Sequence, residues 1–184
     1  KVFEACPNLT ELKLSNNKLT KLDRHTFKPL NKLTLLSISN NQFESIDVKL
    51  FDACFNLREL WLNDNKLKIL DAEEFKTLSK LTKLSLAKNK INTIDVKLFE
   101  ALIHLKELYL NGNKLKIIEA ETFKQLTKLT KIVLQNNQIE TIDVRLFETC
   151  TNLTYMNLNN NKLSRLEADT FKKLNKLTHL YLDH

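Results

Sequence analysis

The stretch LTKLSLAKNKINTIDVKLFEALIH, Leu81–His104, contains the whole pattern on which this 184-residue chain is built. Leucines at 81, 84 and 86 are followed by Asn89 and then by Phe99, and the pattern begins again at Leu105. Three columns recur without a slip at 24-residue intervals: leucine at 9, 33, 57, 81, 105, 129, 153 and 177, asparagine at 17, 41, 65, 89, 113, 137 and 161, and phenylalanine at 3, 27, 51, 75, 99, 123, 147 and 171. A fixed internal period of this kind predicts a solenoid of stacked units.

The local spacing of the apolar residues indicates how each unit folds. Alternating leucines, as at Leu84 and Leu86, have the period of a β-strand. One unit cannot bury its apolar side alone, but stacked units form a continuous core. The chain has one glycine and two prolines, too few for ordinary turns. We therefore expect the asparagine side chains to bond the backbone groups where the chain turns.

The repeated unit L-x-x-L-x-L-x-x-N-x-L-x-x-L-x-x-x-x-F-x-x-L-x-x resembles the leucine-rich repeat family over the whole chain. The resemblance implies an α/β fold: a right-handed, curved solenoid with a parallel β-sheet on its concave face and short helical or 3-10 turns on its convex face. The 24-residue, phenylalanine-bearing unit resembles the form common in extracellular and receptor proteins. We expect residues 1–184 to form one domain of about eight coils, partial at both ends and part of a longer protein.

Adjacent units differ, and the hexapeptide IDVKLF at residues 46–51 returns only at 94–99. The residue after each phenylalanine alternates in sign, as in Asp52, Lys76 and Glu100, and the residue two before it alternates in the opposite phase. Stacked coils would turn both columns into ladders of ion pairs between coils. We interpret the doubled period as a device for stacking register, with a repeated binding epitope as the alternative.

A third column is acidic throughout: Asp23, Asp47, Asp71, Asp95, Glu119, Asp143 and Glu167. Each acid precedes a helix-compatible segment, so we interpret the column as N-caps rather than a metal site, with Asp71 and Glu74 resembling a capping box. Cys6, Cys54 and Cys150 occupy a column otherwise filled by leucine. Coils two apart are too distant for a disulfide, so we expect three buried free thiols.

The candidate binding face consists of strand residues that point away from the core. Exposed tryptophan, tyrosine and arginine dominate protein-binding hot spots, and these residue types fall on the predicted strands. The alternative is that large and small side chains alternate only to fill a curved sheet. The predicted site contains Arg58, Glu59, Trp61, Lys83, Glu107, Tyr109, Tyr155 and Tyr181.

Charge and composition limit the classes of partner that the chain can bind. The net charge of +7 is typical of nucleic-acid binding, but charges on the concave columns nearly balance, so we expect no nucleic acid as primary partner. Lysine columns at the sheet edges allow weak contact with acidic glycans or simply form a solvated rim. No apolar run approaches the roughly 20 residues of a membrane span. The sequons at Asn8 and Asn152 are possible N-glycosylation sites on an exposed edge.

The leading functional hypothesis is a noncatalytic module that binds a protein ligand, within an extracellular or cell-surface receptor, a secreted immune protein or an adhesion protein. The alternatives are an intracellular scaffold or inhibitor and a structural protein that associates with itself. The sequence contains no nucleophile–base pair, phosphate-binding loop or metal-ligand cluster, so we expect no enzyme and no cofactor.

Overall fold

The computed structural model describes residues 2–183, which form a solenoid with one strand in each coil. The strands are β1 (Glu11–Lys13), β2 (Leu35–Ser37), β3 (Glu59–Trp61), β4 (Lys83–Ser85), β5 (Glu107–Tyr109), β6 (Lys131–Val133), β7 (Tyr155–Asn157) and β8 (His179–Tyr181). They form one parallel sheet in sequence order, and each residue of β1–β7 pairs with the residue 24 positions later, as Trp61 does with Ser85. This register confirms the predicted parallel solenoid, since residues of one column are neighbours in space.

The core is made by the leucine and phenylalanine columns. Phe27, Phe51, Phe75, Phe99, Phe123 and Phe147 are at most 1% exposed. Five neighbouring pairs of phenylalanine rings along the stack lie 5.8–6.4 Å apart between centroids, within the range of favourable aromatic contact. The core therefore runs the length of the solenoid as one continuous cluster.

The asparagine column bonds the turns, as predicted. Asn89 Nδ2 donates to the carbonyl oxygens of Leu62 in the preceding coil and of Leu86 and Ala87 in its own. Its Oδ1 accepts from the Leu67 backbone N–H at 3.0 Å. Each buried amide thus joins two coils through backbone groups that would otherwise lack partners.

A second column beside the asparagines adopts a left-handed backbone. It contains Asn16, Asn40, Asp64, Lys88, Gly112, Asn136 and Asn160, with φ between 50° and 70°. Asparagine, aspartate and glycine tolerate this region, whereas Lys88 is strained there. The turns therefore need few glycines, because polar residues with short side chains fill most of the column.

The convex side contains less helix than the resemblance implies. Among residues 2–183 the only helix is the 3-10 helix Ala72–Phe75, while the other coils make a succession of turns at the same place. Five aspartates of the acidic column accept a hydrogen bond from the backbone N–H two residues later, at 2.8–3.0 Å: Asp23, Asp47, Asp71, Asp95 and Asp143. The N-cap interpretation is confirmed for Asp71, which caps the 3-10 helix, whereas the other four aspartates make the same bond at the start of a turn. No such bond is found at Glu119 or Glu167 in the described chain, and the Glu167 carboxylate instead pairs with Arg165 at 3.1 Å.

The ion-pair ladders differ from the prediction. The convex pairs at 2.8–3.3 Å form within a coil, between Lys76 and Glu73, Lys124 and Glu121, and Lys172 and Asp169. In each pair the two residues are three apart in the sequence, a spacing that brings their side chains together on one turn. The neighbouring coil still contributes at longer range, since Asp52 helps to raise the pKa of Lys76 after the larger effect of Glu73.

One cysteine prediction is wrong and two are confirmed. Cys54 and Cys150 are completely buried, and burial raises the pKa of each thiol to about 12. Cys6 is exposed, because within residues 2–183 no coil covers its outer side. All three are free thiols.

Candidate ligand-binding face

The middle residue of each inner strand is buried, and the residues on either side point into the concave face. In β3 and β5 this gives an intermediate–buried–intermediate pattern, with Leu60 and Leu108 in the core. The alternation follows from strand geometry, in which successive side chains leave opposite faces. The exposed residues of successive strands then form two rows across the sheet.

Trp61 and Tyr109 come together across an intervening strand. Their ring centroids are 6.1 Å apart with an interplanar angle of 30°. Ser85 lies between them in register and is 4% exposed. The small side chain of Ser85 leaves the space in which two rings from strands two apart can touch.

A line of charged residues holds the two rings in place. Trp61 Nε1 donates to Glu59 Oε2 at 3.2 Å, and the Tyr109 hydroxyl donates to Glu107 Oε2 at 2.6 Å. Lys83 Nζ lies between the two carboxylates, 3.9 Å from Glu59 and 3.5 Å from Glu107. We call Glu59, Trp61, Lys83, Glu107 and Tyr109 the central cluster. Burial, followed by the Glu107 hydrogen bond, raises the pKa of Tyr109, so its hydroxyl stays protonated.

A second group of rings follows on β6–β8. Lys131 Nζ lies 5.2 Å from the Tyr109 ring centroid and 4.8 Å from that of Tyr155. Tyr155 in turn lies 5.5 Å from Tyr181 and 5.9 Å from His179. We call Lys131, Tyr155, His179 and Tyr181 the aromatic zone. Sequence reasoning missed Lys131 and His179, although the 24-residue register places both in the row of Glu59 and Glu107.

Seven of the eight predicted site residues therefore lie in the central cluster or the aromatic zone. Arg58 does not join them. It lies in the column before β3, where its side chain is exposed and makes no hydrogen bond or ion pair within the described chain. Its backbone carbonyl accepts hydrogen bonds from the backbone N–H groups of Thr82 and Lys83, so Arg58 contacts the next coil through its main chain.

The sequon residues lie along one sheet edge, in a column where lysine alternates with asparagine or, once, with His104. Asn8 Oδ1 accepts from Lys32 at 2.7 Å, and Asn152 Oδ1 accepts from Lys176 at 2.6 Å. Asn152 Nδ2, the atom to which a glycan would attach, also donates to the Thr127 carbonyl at 2.8 Å. Asn8 is the more exposed of the two. Glycosylation stays a prediction for both.

No helix in residues 2–183 is long and apolar enough to cross a membrane. Among the same residues, no group of three or more histidine, cysteine, aspartate or glutamate side chains is placed to hold a metal ion. The groups that the concave face presents for binding are the aromatic, charged and hydrogen-bonding side chains of the central cluster and the aromatic zone.

Comparisons with known proteins agree with this architecture. The crystal structure of the TLR13–ssRNA13 complex superposes with a TM-score of 0.93 at 32% identity, covering 98% of this chain and 26% of that one. The Toll–Spatzle complex, from Drosophila, gives a TM-score of 0.80 at 26% identity over 95% of this chain and 26% of its counterpart. Its glycosylated form, at 21% identity and a TM-score of 0.67 over 98% of this chain and 32% of that one, shows the fold alone.

The chain thus spans about a quarter of the length of the first two similar structures. No curated protein matches the sequence. The family described as "Leucine rich repeat" matches residues 1–43, 32–91, 79–139 and 127–184, which together extend over the whole chain. With a parallel sheet in 24-residue register and a family match from end to end, the chain belongs to the leucine-rich repeat family.

Proposed function

We propose that this chain is a noncatalytic recognition module of an extracellular or cell-surface protein, and that it binds a protein ligand with the central cluster. The observation that carries the proposal is the Trp61–Tyr109 contact, held at both ends by a carboxylate. Side chains already fixed in one conformation lose little entropy on binding. Tryptophan and tyrosine also supply the largest contributions at protein interfaces.

The similar structures support ligand recognition by this kind of solenoid. One is a complex of Toll with Spatzle, and the other a complex of TLR13 with ssRNA13. The charge of the central cluster, two carboxylates and one lysine, favours a protein partner there. Its single lysine lies between two carboxylates, which would repel a polyanion.

The test compares the chain with its Trp61→Ala and Tyr109→Ala variants. Each protein is immobilised, exposed to fluid from its native source and cross-linked, and captured partners are identified by mass spectrometry. We expect one partner to be lost at least ten-fold from both variants, as removal of a hot-spot residue predicts. Lys13→Ala is the matched control, since Lys13 occupies the same column on β1. Equal capture by folded variants and control would contradict the proposal.

A further inference from the structure

The charge of the concave face changes between β5 and β6. On β3–β5 the first strand position alternates between Glu59, Lys83 and Glu107, so the lysine is neutralised. The strand segments β6–β8 contain no acidic residue. Within the described chain no carboxylate lies within 4 Å of Lys131 Nζ, which is flanked instead by the rings of Tyr109 and Tyr155. Because acidic and basic residues nearly balance over the whole concave face, its net charge does not reveal this difference between β3–β5 and β6–β8.

The rings of the aromatic zone form a surface of adjacent aromatic groups. Centroid distances among Tyr155, His179 and Tyr181 are 5.5–6.3 Å, and the rings come from neighbouring strands. Tyr155 is half-buried, whereas Tyr181 is 37% exposed. Such a row can receive planar groups of a ligand, and every nucleobase has a flat face that stacks on tyrosine.

Amide side chains lie next to the aromatic zone. Asn157, the last residue of β7, donates to Gln135 Oε1 and accepts from the Asn159 backbone N–H. On the adjoining rim, Asn160 Nδ2 donates to Asn136 Oδ1 at 2.9 Å. Amides both donate and accept hydrogen bonds, which matches the polar edges of unpaired bases. Two acidic residues border the zone: Glu107, the register partner of Lys131 on β5, and Asp183, just after β8.

From these features we infer that the aromatic zone is a binding site for single-stranded nucleic acid, distinct from the protein site proposed for the central cluster. Unpaired bases stack on Tyr155 and Tyr181, and a phosphate binds Lys131, which makes no ion pair within 4 Å in the described chain. Bases inside a duplex are already stacked on one another and cannot reach the rings. The site therefore selects single strands through stacking and adds a modest electrostatic contribution.

The inference is tested by fluorescence anisotropy with the complete chain. The probes are a labelled ten-nucleotide RNA without secondary structure, the DNA of the same sequence, and the corresponding DNA duplex. We expect the RNA or the DNA single strand to bind at least ten-fold more tightly than the duplex. A preference for RNA would indicate a contact with the 2′-hydroxyl. Equal binding of the duplex and both single strands would overturn the inference.

Variants assign the contribution of each group. We expect Tyr155→Ala to weaken single-strand binding about ten-fold, Tyr155→Phe to retain it, and Lys131→Met to lower the salt dependence by about one phosphate contact. Phe55→Ala is the control, because Phe55 is an exposed aromatic residue outside the strands, and it leaves oligonucleotide binding unchanged. If Tyr155→Ala instead weakens capture of a protein partner and leaves oligonucleotide binding intact, the zone belongs to the protein site. Failure of the central cluster to bind protein would not affect this result.

Discussion

Glu74 is a buried carboxylic acid on the convex side, and its burial determines its pKa. It is 4% exposed, and its Oε2 has no hydrogen-bond partner in the described chain. The same column holds Leu50 and Leu98 in the two adjacent coils. Burial raises the pKa of Glu74 to about 8, opposed by a hydrogen bond from the Asp71 backbone. This bond and the Asp71 N-cap together form the predicted capping box.

The raised pKa predicts a pH-dependent stability. Because folded Glu74 holds its proton more tightly than the unfolded chain does, its contribution favours folding most below about pH 4.5 and is lost as pH rises through about 8. We expect Glu74→Leu to raise the free energy of unfolding by on the order of 3 kcal/mol at pH 8.5 and to change it little at pH 4.5. Urea unfolding at both pH values measures this, with exposed Glu73→Gln as the control. An identical pH dependence in Glu74→Leu and the parent chain would show that Glu74 is solvated.

Lys88 is the residue whose backbone conformation least suits its side chain. Its φ is 51°, and the same column elsewhere holds asparagine, aspartate or glycine. We expect Lys88→Asn to stabilise the chain by roughly 0.5–1 kcal/mol, because asparagine tolerates the left-handed region. The exposed Lys88–Asp64 ion pair that is lost, at 3.6 Å, contributes little. Thermal unfolding measures the change, and a lower melting temperature would refute the assignment of strain.

At the level of elements, the asparagine column joins one coil to the next. Asn89 makes four hydrogen bonds to backbone groups at 3.0–3.2 Å and is buried. We expect Asn89→Ala to cost roughly 2–4 kcal/mol, because buried backbone groups lose their partners. Asn17 is the matched comparison, since it is exposed and donates only to the carbonyls of Leu14 and Ser15. We expect Asn17→Ala to cost less than about 1 kcal/mol.

Urea titrations of both asparagine variants, followed by circular dichroism, provide the measurement. A repeat protein can unfold in parts, so the m-value must be compared with that of the parent chain. Equal losses for Asn17→Ala and Asn89→Ala would mean that the amide column does not stabilise the stacking of coils.

Across the whole molecule, the convex charges alternate both within and between coils. Exchanging Glu121 and Lys124 retains their 2.8 Å pair but places like charges opposite the neighbouring coils. We expect the double variant Glu121→Lys, Lys124→Glu to be slightly less stable than the parent chain, and the difference to disappear at 1 M salt. Lys124→Glu alone should lose more, because it faces Glu121 as well as Glu148. If the double variant lost as much stability as Lys124→Glu alone, the dominant ion pairs would be those between coils.

The sequence by itself determined the repeat, the parallel register, the core columns and the asparagine ladder, because a strict period turns equal positions into neighbours. It also identified most residues of the concave face. It overestimated helix on the convex side, since short turns and helical turns share the same capping residues and spacing. It misjudged Cys6, because burial in a solenoid requires a coil on each side.

Only the tertiary structure decided which side chains of the concave face touch. Trp61 reaches Tyr109 over Ser85, Lys83 bridges two glutamates, and Lys131 lies between two tyrosines. Column positions are about 5 Å apart, but long side chains can turn towards either neighbour or along their own strand. Their direction depends on the size and charge of residues one and two coils away. The directions that these side chains take separate the central cluster from the aromatic zone.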